Sequence, residues 1–310
     1  MSVDKDMTGP ASESGNITVL AGKGGVGKTT CAAAIALHHA GRGEATLAIS
    51  TDATPSLAHI FEVTDGDRPV EVKRALYINE LGVEEVREMW NAKFGREVYE
   101  VFSSFVSIDY EDFTEFMTSL LPGLGDEFMV DYIRELGRRG DYESIVWDTA
   151  PLGQTLALLE TPPMLARHLK LAPRIYSRLK LGKASREPIL DIISRWQELS
   201  VDNIRFLQDK VEFIIVTIPE ALAVAQLEHV FRELDKYGLK VKQLVINNVI
   251  RDKDSEFLRL KAGQQERYLE AVYSRYSDLS IVEIPMFPHE VKGLSRLEEV
   301  AGILFEDGRR

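Results

Sequence analysis

Apolar residues fall into short β-branched runs at 17–20 (ITVL), 45–50 (ATLAIS), 76–81 (LYINEL), 144–147 (SIVW), 211–217 (VEFIIVT), 241–247 (VKQLVIN) and 280–284 (SIVEI). Several are continuous rather than alternating, the pattern of strands covered on both faces. Between them, apolar positions recur at helical spacing, which predicts an α/β fold: a mostly parallel sheet flanked by helices. Two intervals, 86–136 and 161–208, exceed a simple crossover and carry helical pattern without a strand. They predict a helical subdomain inserted into a domain spanning 17–310. Residues 1–16 are polar and acidic and read as a loosely ordered tail.

Composition narrows the chemistry. The 310 residues include 37 Lys and Arg against 49 Asp and Glu, a net charge of −12, which argues against a nucleic-acid partner. One cysteine excludes a disulfide framework, a Cys-rich zinc site and an iron–sulfur cluster built within one chain. With no apolar run of 18 residues and no signal core, a cytoplasmic protein is expected. The two inserts differ in sign. Glu97 to Asp131 holds nine acids and no Lys or Arg, whereas Thr161 to Arg186 holds seven Lys and Arg and no acid. They either neutralise each other or flank a binding surface.

Residues 22–30 read GKGGVGKTT, directly after the strand ITVLA and directly before the helical run CAAAIALHHA. That context makes the match a phosphate loop. Gly22, Gly24, Gly25 and Gly27 allow backbone N–H groups to curl inward, and the helix N-terminus adds partial positive charge. Lys28 is placed to reach the β- and γ-phosphates and Thr29 to ligate Mg²⁺, with Lys23, Val26 and Thr30 completing the cradle. The second lysine, Lys23, resembles the deviant Walker A (SIMIBI) class of P-loop NTPases. There the extra lysine enters the partner subunit's site and stabilises the transferring phosphoryl group, so the resemblance implies a homodimer.

Two later motifs select within that class: STDATPSLAHIF (50–61) and DTAPLGQTLALLETP (148–162). They resemble switch I and switch II of the ArsA family, which includes arsenical pump-driving ATPases and guided-entry (GET) ATPases for tail-anchored membrane proteins. The likeness continues through TIPEALAVAQLEHVFREL (217–234), LVINN (244–248) and MFPHEVKGLSRLEEV (286–300). It implies an ATPase using ATP and Mg²⁺. Asp52 would orient and polarise the attacking water, and Thr29, Asp52 and Asp148 would stand on the metal side. Glu220 would contact nucleotide, Asn247 would hydrogen-bond the adenine, and the loop around Pro288 would line the base.

Departures also matter. Switch I has Ala53-Thr54-Pro55 where Pro-Ala is usual, and Gln154 and Ala157 replace the usual His and Arg of switch II. The C-x-x-C pair of the eukaryotic relatives is missing; the corresponding stretch reads DKDSEFLRLKAGQQERY (252–268), so no zinc is expected. Cys31, among alanines on the phosphate-loop helix, reads as a small core residue. Six of 13 phenylalanines lie between 90 and 130, and Leu124, Phe128, Tyr132 and Leu136 recur every four residues. Such a stripe is either core or a groove for a hydrophobic helix. The groove candidates are Phe116, Met117, Leu120, Leu124, Phe128 and Met129. The leading expectation is an ATP-driven carrier of transmembrane segments, acting with a membrane receptor. The alternatives are an ATPase subunit of an arsenite or anion pump and, ranked last, a ParA- or MinD-like positioning switch.

Overall fold

A computed structural model describes residues 16–51, 56–64, 69–82, 85, 88, 89, 91–96, 99, 103, 109–112, 124–149 and 183–306. Among them, eight strands form one sheet: β1 (Asn16–Gly22), β2 (Thr46–Ser50), β3 (Val70–Lys73), β4 (Leu76–Glu80), β5 (Ser144–Asp148), β6 (Val211–Thr217), β7 (Lys240–Val249) and β8 (Ser280–Pro285). Their order is β3-β4-β2-β5-β1-β6-β7-β8. Every neighbouring pair is parallel except β3 with β4. Seven strands answer to the seven apolar runs. The eighth, β3, is a four-residue edge strand, VEVK, whose charged residues alternate outward. Such a short charged strand blunts the sheet edge against unwanted pairing.

The continuous apolar runs divide between two faces. Ile17, Val19, Ala21, Ile145, Trp147, Phe213 and Ile215 form one core with helices α3 (Leu124–Arg139), α4 (Lys183–Lys210) and α5 (Ala221–Lys236). Leu20, Ala48, Val146, Ile214, Val216 and Val245 form the other with α1 (Lys28–Gly41), α2 (Leu57–Phe61) and α7 (Gly293–Glu306). Helix α6 (Glu256–Arg275) contributes Val272 to the first core. The alternating β side chains therefore serve two layers at once.

β1 sits between β5 and β6, with chain connections leaving to opposite sides. That reversal opens a crevice at the carboxyl end of β1, the usual ligand position in open α/β sheets.

Part of the expected insert belongs to this core. Met129, Val130, Ile133 and Leu136 on α3 are all buried beneath the sheet. Gly137 allows the close approach, since a Cβ there would stand 3.0 Å from Ile17 Cδ1. Met129, named above as a groove candidate, is therefore a core side chain in this structure, because α3 from Met129 to Leu136 packs into the core beneath the sheet. Phe116, Met117 and Leu120 lie outside the described residues, as do the side chains of Leu124 and Phe128. Residues 91–95 form a π-helical turn whose Lys93 pairs with buried Asp131 at 2.5 Å and with Glu135 at 2.9 Å. Arg134 closes on the same Asp131 at 2.8 Å. These contacts join the start of the first insert to α3, while the basic stretch from Thr161 to Arg186 falls almost entirely outside the described residues.

If Met129 packs the core, Met129→Ala should destabilise the nucleotide-free protein by about 2–5 kcal/mol. A urea-unfolding midpoint unmoved from wild type would contradict that placement.

Candidate nucleotide site

β1 ends at Gly22 because the chain passes β6 too closely for any side chain: a Cβ there would lie 2.2 Å from the Val216 carbonyl oxygen. The loop then turns through Gly25 (φ +78°) and Gly27 (φ +98°), left-handed backbone suited to glycine. Helix α1 begins at Lys28 without a side-chain cap and without an acid in its first turn. A helix start of this kind carries partial positive charge and N–H donors for an anion. Lys28 is buried, its Nζ 3.4 Å from the Lys23 carbonyl oxygen, so the ammonium is folded back over the loop. Lys23 itself is half-buried.

The carboxyl ends of the neighbouring strands complete the floor. Asp148 ends β5 in register with Leu20 of β1 and Ser50 of β2, and it is buried. Thr149 Oγ1 donates to the Leu20 carbonyl oxygen at 2.7 Å, and the Thr51 N–H donates to the Asp148 carbonyl oxygen at 3.2 Å. Ser56 Oγ lies 3.4 Å from Thr29 Oγ1. Asp52 and the switch II residues from Ala150 onward, including Gln154 and Ala157, lie outside the described residues.

On the other flank, a cavity of about 330 Å³ is lined by Gly25, Gly27, Thr30, Cys31, Asn247, Asn248 and residues 287, 289, 290 and 291, among others. Pro288 thus sits inside the loop that walls it. Asn247 Nδ2 donates to the Val26 carbonyl oxygen at 2.9 Å, tying β7 to the phosphate loop. The next residue, Asn248, has φ +59°. Its turn is clamped from α6 by one amide: Gln265 Nε2 donates to the Asn248 carbonyl oxygen at 3.0 Å, and Gln265 Oε1 accepts from the Ile250 N–H at 2.9 Å. Glu220, exposed at the start of α5 beyond β6, is not among the residues lining the cavity.

Burial raises the Cys31 thiol to about 12, and the nearby Asp148 carboxylate adds to the shift. The thiol is therefore neutral and buried, as the alanine-rich context suggested.

These features fit a nucleotide triphosphate. An uncapped helix start faces the loop, space is open around Gly25, and an adjoining cavity has the volume of a small-molecule site. Among the described residues, no three His, Cys, Asp or Glu converge as a metal cage. Thr29 and Asp148 carry oxygen donors of the kind Mg²⁺ takes, and that ion needs few protein ligands because phosphate oxygens and water complete its shell. Motif spacing revealed the loop, whereas Gln265 carried no local signal because its partners lie 15 and 17 residues upstream.

Comparison with known proteins agrees with this geometry. A family model described as anion-transporting ATPase matches residues 16–306. A relative from Aquifex aeolicus, named as an arsenical pump-driving ATPase, is 28% identical over 91% of this chain and 97% of its own. ATPase GET3B of Arabidopsis thaliana is 30% identical, covering 93% of this chain and 78% of its own. ATPase GET3 of Komagataella phaffii is 29% identical, covering 92% and 88%.

A Cβ on Gly27 would meet Asn247 Nδ2 at 2.3 Å in a left-handed backbone. Gly27→Ala should therefore weaken nucleotide binding by roughly 10-fold or more with the circular dichroism unchanged. Titration with a fluorescent ADP checks it, and wild-type affinity would refute the strain argument. Cys31 should resist iodoacetamide at pH 8 in the folded protein and react only on unfolding, as intact-mass measurement would record.

Proposed function

The chain belongs to the ArsA family of anion-transporting ATPases, and we propose that within it this protein captures and releases hydrophobic transmembrane segments. It is an ATPase. The observation that carries the nucleotide half of the reading is the uncapped start of α1 beneath a buried Lys28. In the proposed cycle Lys28 holds the phosphates, while Thr29 and Asp148 stand on the metal side. Asp52 orients the attacking water, and Lys23 reaches the site of a second copy. Magnesium, when bound, neutralises charge that develops on the phosphoryl oxygens. Positioning and charge neutralisation make up most of phosphoryl-transfer catalysis, so this short set of residues suffices.

The client half draws support from the GET3 ATPases among the relatives and from the six phenylalanines and the apolar stripe of the first insert. A transmembrane segment of about 20 residues is ~30 Å long, which favours a groove shared by two copies. Among the described residues no helix is long and apolar enough to cross a membrane, and a membrane receptor is part of the proposal. The family description and the Aquifex relative favour a second reading, an ATPase driving an anion pump. The single cysteine counts against arsenite capture by three thiolates within one chain.

Co-expression with a tail-anchored segment should yield a detergent-free complex of two protein copies with one client, dependent on ATP. Asp52→Asn, slowed in hydrolysis, should trap more client than wild type. A folded, ATP-hydrolysing dimer that captures no client but turns over faster with a metalloid oxyanion would move the reading to the pump.

A further inference from the structure

Serine is among the best helix N-caps, because its hydroxyl can accept from a backbone N–H of the first turn. Ser56 is the N-cap of α2, yet its hydroxyl makes no capping bond. The start of the helix is held from another strand instead. Glu80 Oε1, at the end of β4, accepts from the Ser56 N–H at 2.6 Å and from the Leu57 N–H at 2.7 Å. Glu80 is only 9% exposed. A buried carboxylate thus holds the Ser56 and Leu57 N–H groups, which a Ser56 hydroxyl cap, reaching the second or third N–H of the helix, would leave open. With the backbone of Ser56 fixed in this way, Ser56 Oγ lies 3.4 Å from Thr29 Oγ1.

The placement is set by the sheet. Glu80 is in register with Ser50 of β2, and Ser50 with Asp148 of β5, so the three stand in one row at the carboxyl ends of their strands. The Leu81 N–H donates to the Ser50 carbonyl oxygen at 3.0 Å, which fixes the end of β4 against the strand that leads into switch I. One end of the segment carrying Asp52 is therefore held at Ser50 and Thr51, and the other at Ser56 by Glu80.

We propose that Glu80 is a positioning residue for phosphoryl transfer: by capping α2 from β4 it keeps the Ser56 hydroxyl on Thr29 and so fixes the metal-side hydroxyl of the phosphate loop. The proposal rests on Thr29 serving the metal. A helix cap alone would affect folding, whereas this role affects turnover and the response to Mg²⁺.

The experiment compares Glu80→Ala, Glu80→Gln, Ser56→Ala and Thr29→Ala in the full-length protein. Steady-state kinetics are paired with fluorescent-ADP binding, with and without Mg²⁺. Glu80→Ala should lower kcat by roughly 10- to 100-fold while KM for ATP changes less than about 3-fold, the scale of loss expected from a small misplacement. Glu80→Gln, which keeps an oxygen for both N–H groups, should restore most of that loss. Ser56→Ala should reduce the tightening of ADP binding by Mg²⁺ without lowering Tm. Adding it to Glu80→Ala should cost little more, since the two act as one unit. Wild-type Mg²⁺ tightening in Ser56→Ala, or full additivity in the double variant, would overturn the relay. Unchanged Mg²⁺ tightening in Thr29→Ala would overturn it at a different point, the assignment of Thr29 to the metal. Should Glu80→Ala fail to fold, Ser56→Ala and Glu80→Gln still decide the matter.

Discussion

The two parallel ladders that hold β1 between β5 and β6 are what the rest of the molecule depends on. They place Leu20 beside Asp148 and Gly22 against Val216, so the chain leaves the sheet at one fixed point between acidic and backbone neighbours. The phosphate loop can then be made almost entirely of glycine and backbone, because its position is supplied by the strands rather than by its own side chains. Burial on both faces makes those strands hard to shift. Glycine turns freely through left-handed backbone, so it is this base that gives the loop a single path.

What surrounds the loop is a set of ties from distant elements, each ending on backbone. Asn247 reaches from β7 to the Val26 carbonyl, Gln265 from α6 to the Asn248 turn, and Thr149 from beyond β5 to the Leu20 carbonyl. Buried or half-buried backbone groups need partners. Here the partners come from β7, from α6 and from just beyond β5. The phosphate side and the cavity side of the site are thereby parts of one hydrogen-bonded assembly.

Much of this was legible in the sequence for definite reasons. Doubly covered strands are continuous apolar runs, so seven of them stood out, and a phosphate loop has fixed spacing between a strand and a helix. β3 was not legible: four residues with alternating charge look like a turn. Nothing local says that Glu80, 24 residues on, accepts from the backbone N–H of Ser56. Asn247 was expected to meet the base, and the structure adds that its amide nitrogen already holds the phosphate loop. Met129 belonged to a stripe whose period fits core and groove alike, and only the packing of α3 against β1 separated them.

Helix α3 is continuous from Leu124 to Arg139, about 24 Å at 1.5 Å per residue. Its second half is embedded beneath the strand that carries the phosphate loop, with Gly137 set against Ile17. Its first turn leads back into the insert, and Lys93 grips it at Asp131 near the middle. A rod anchored this way is a lever with its fulcrum in the core. A tilt of a few degrees where it meets β1 becomes a displacement of an ångström or more at its far end, with no joint in the helix to absorb it.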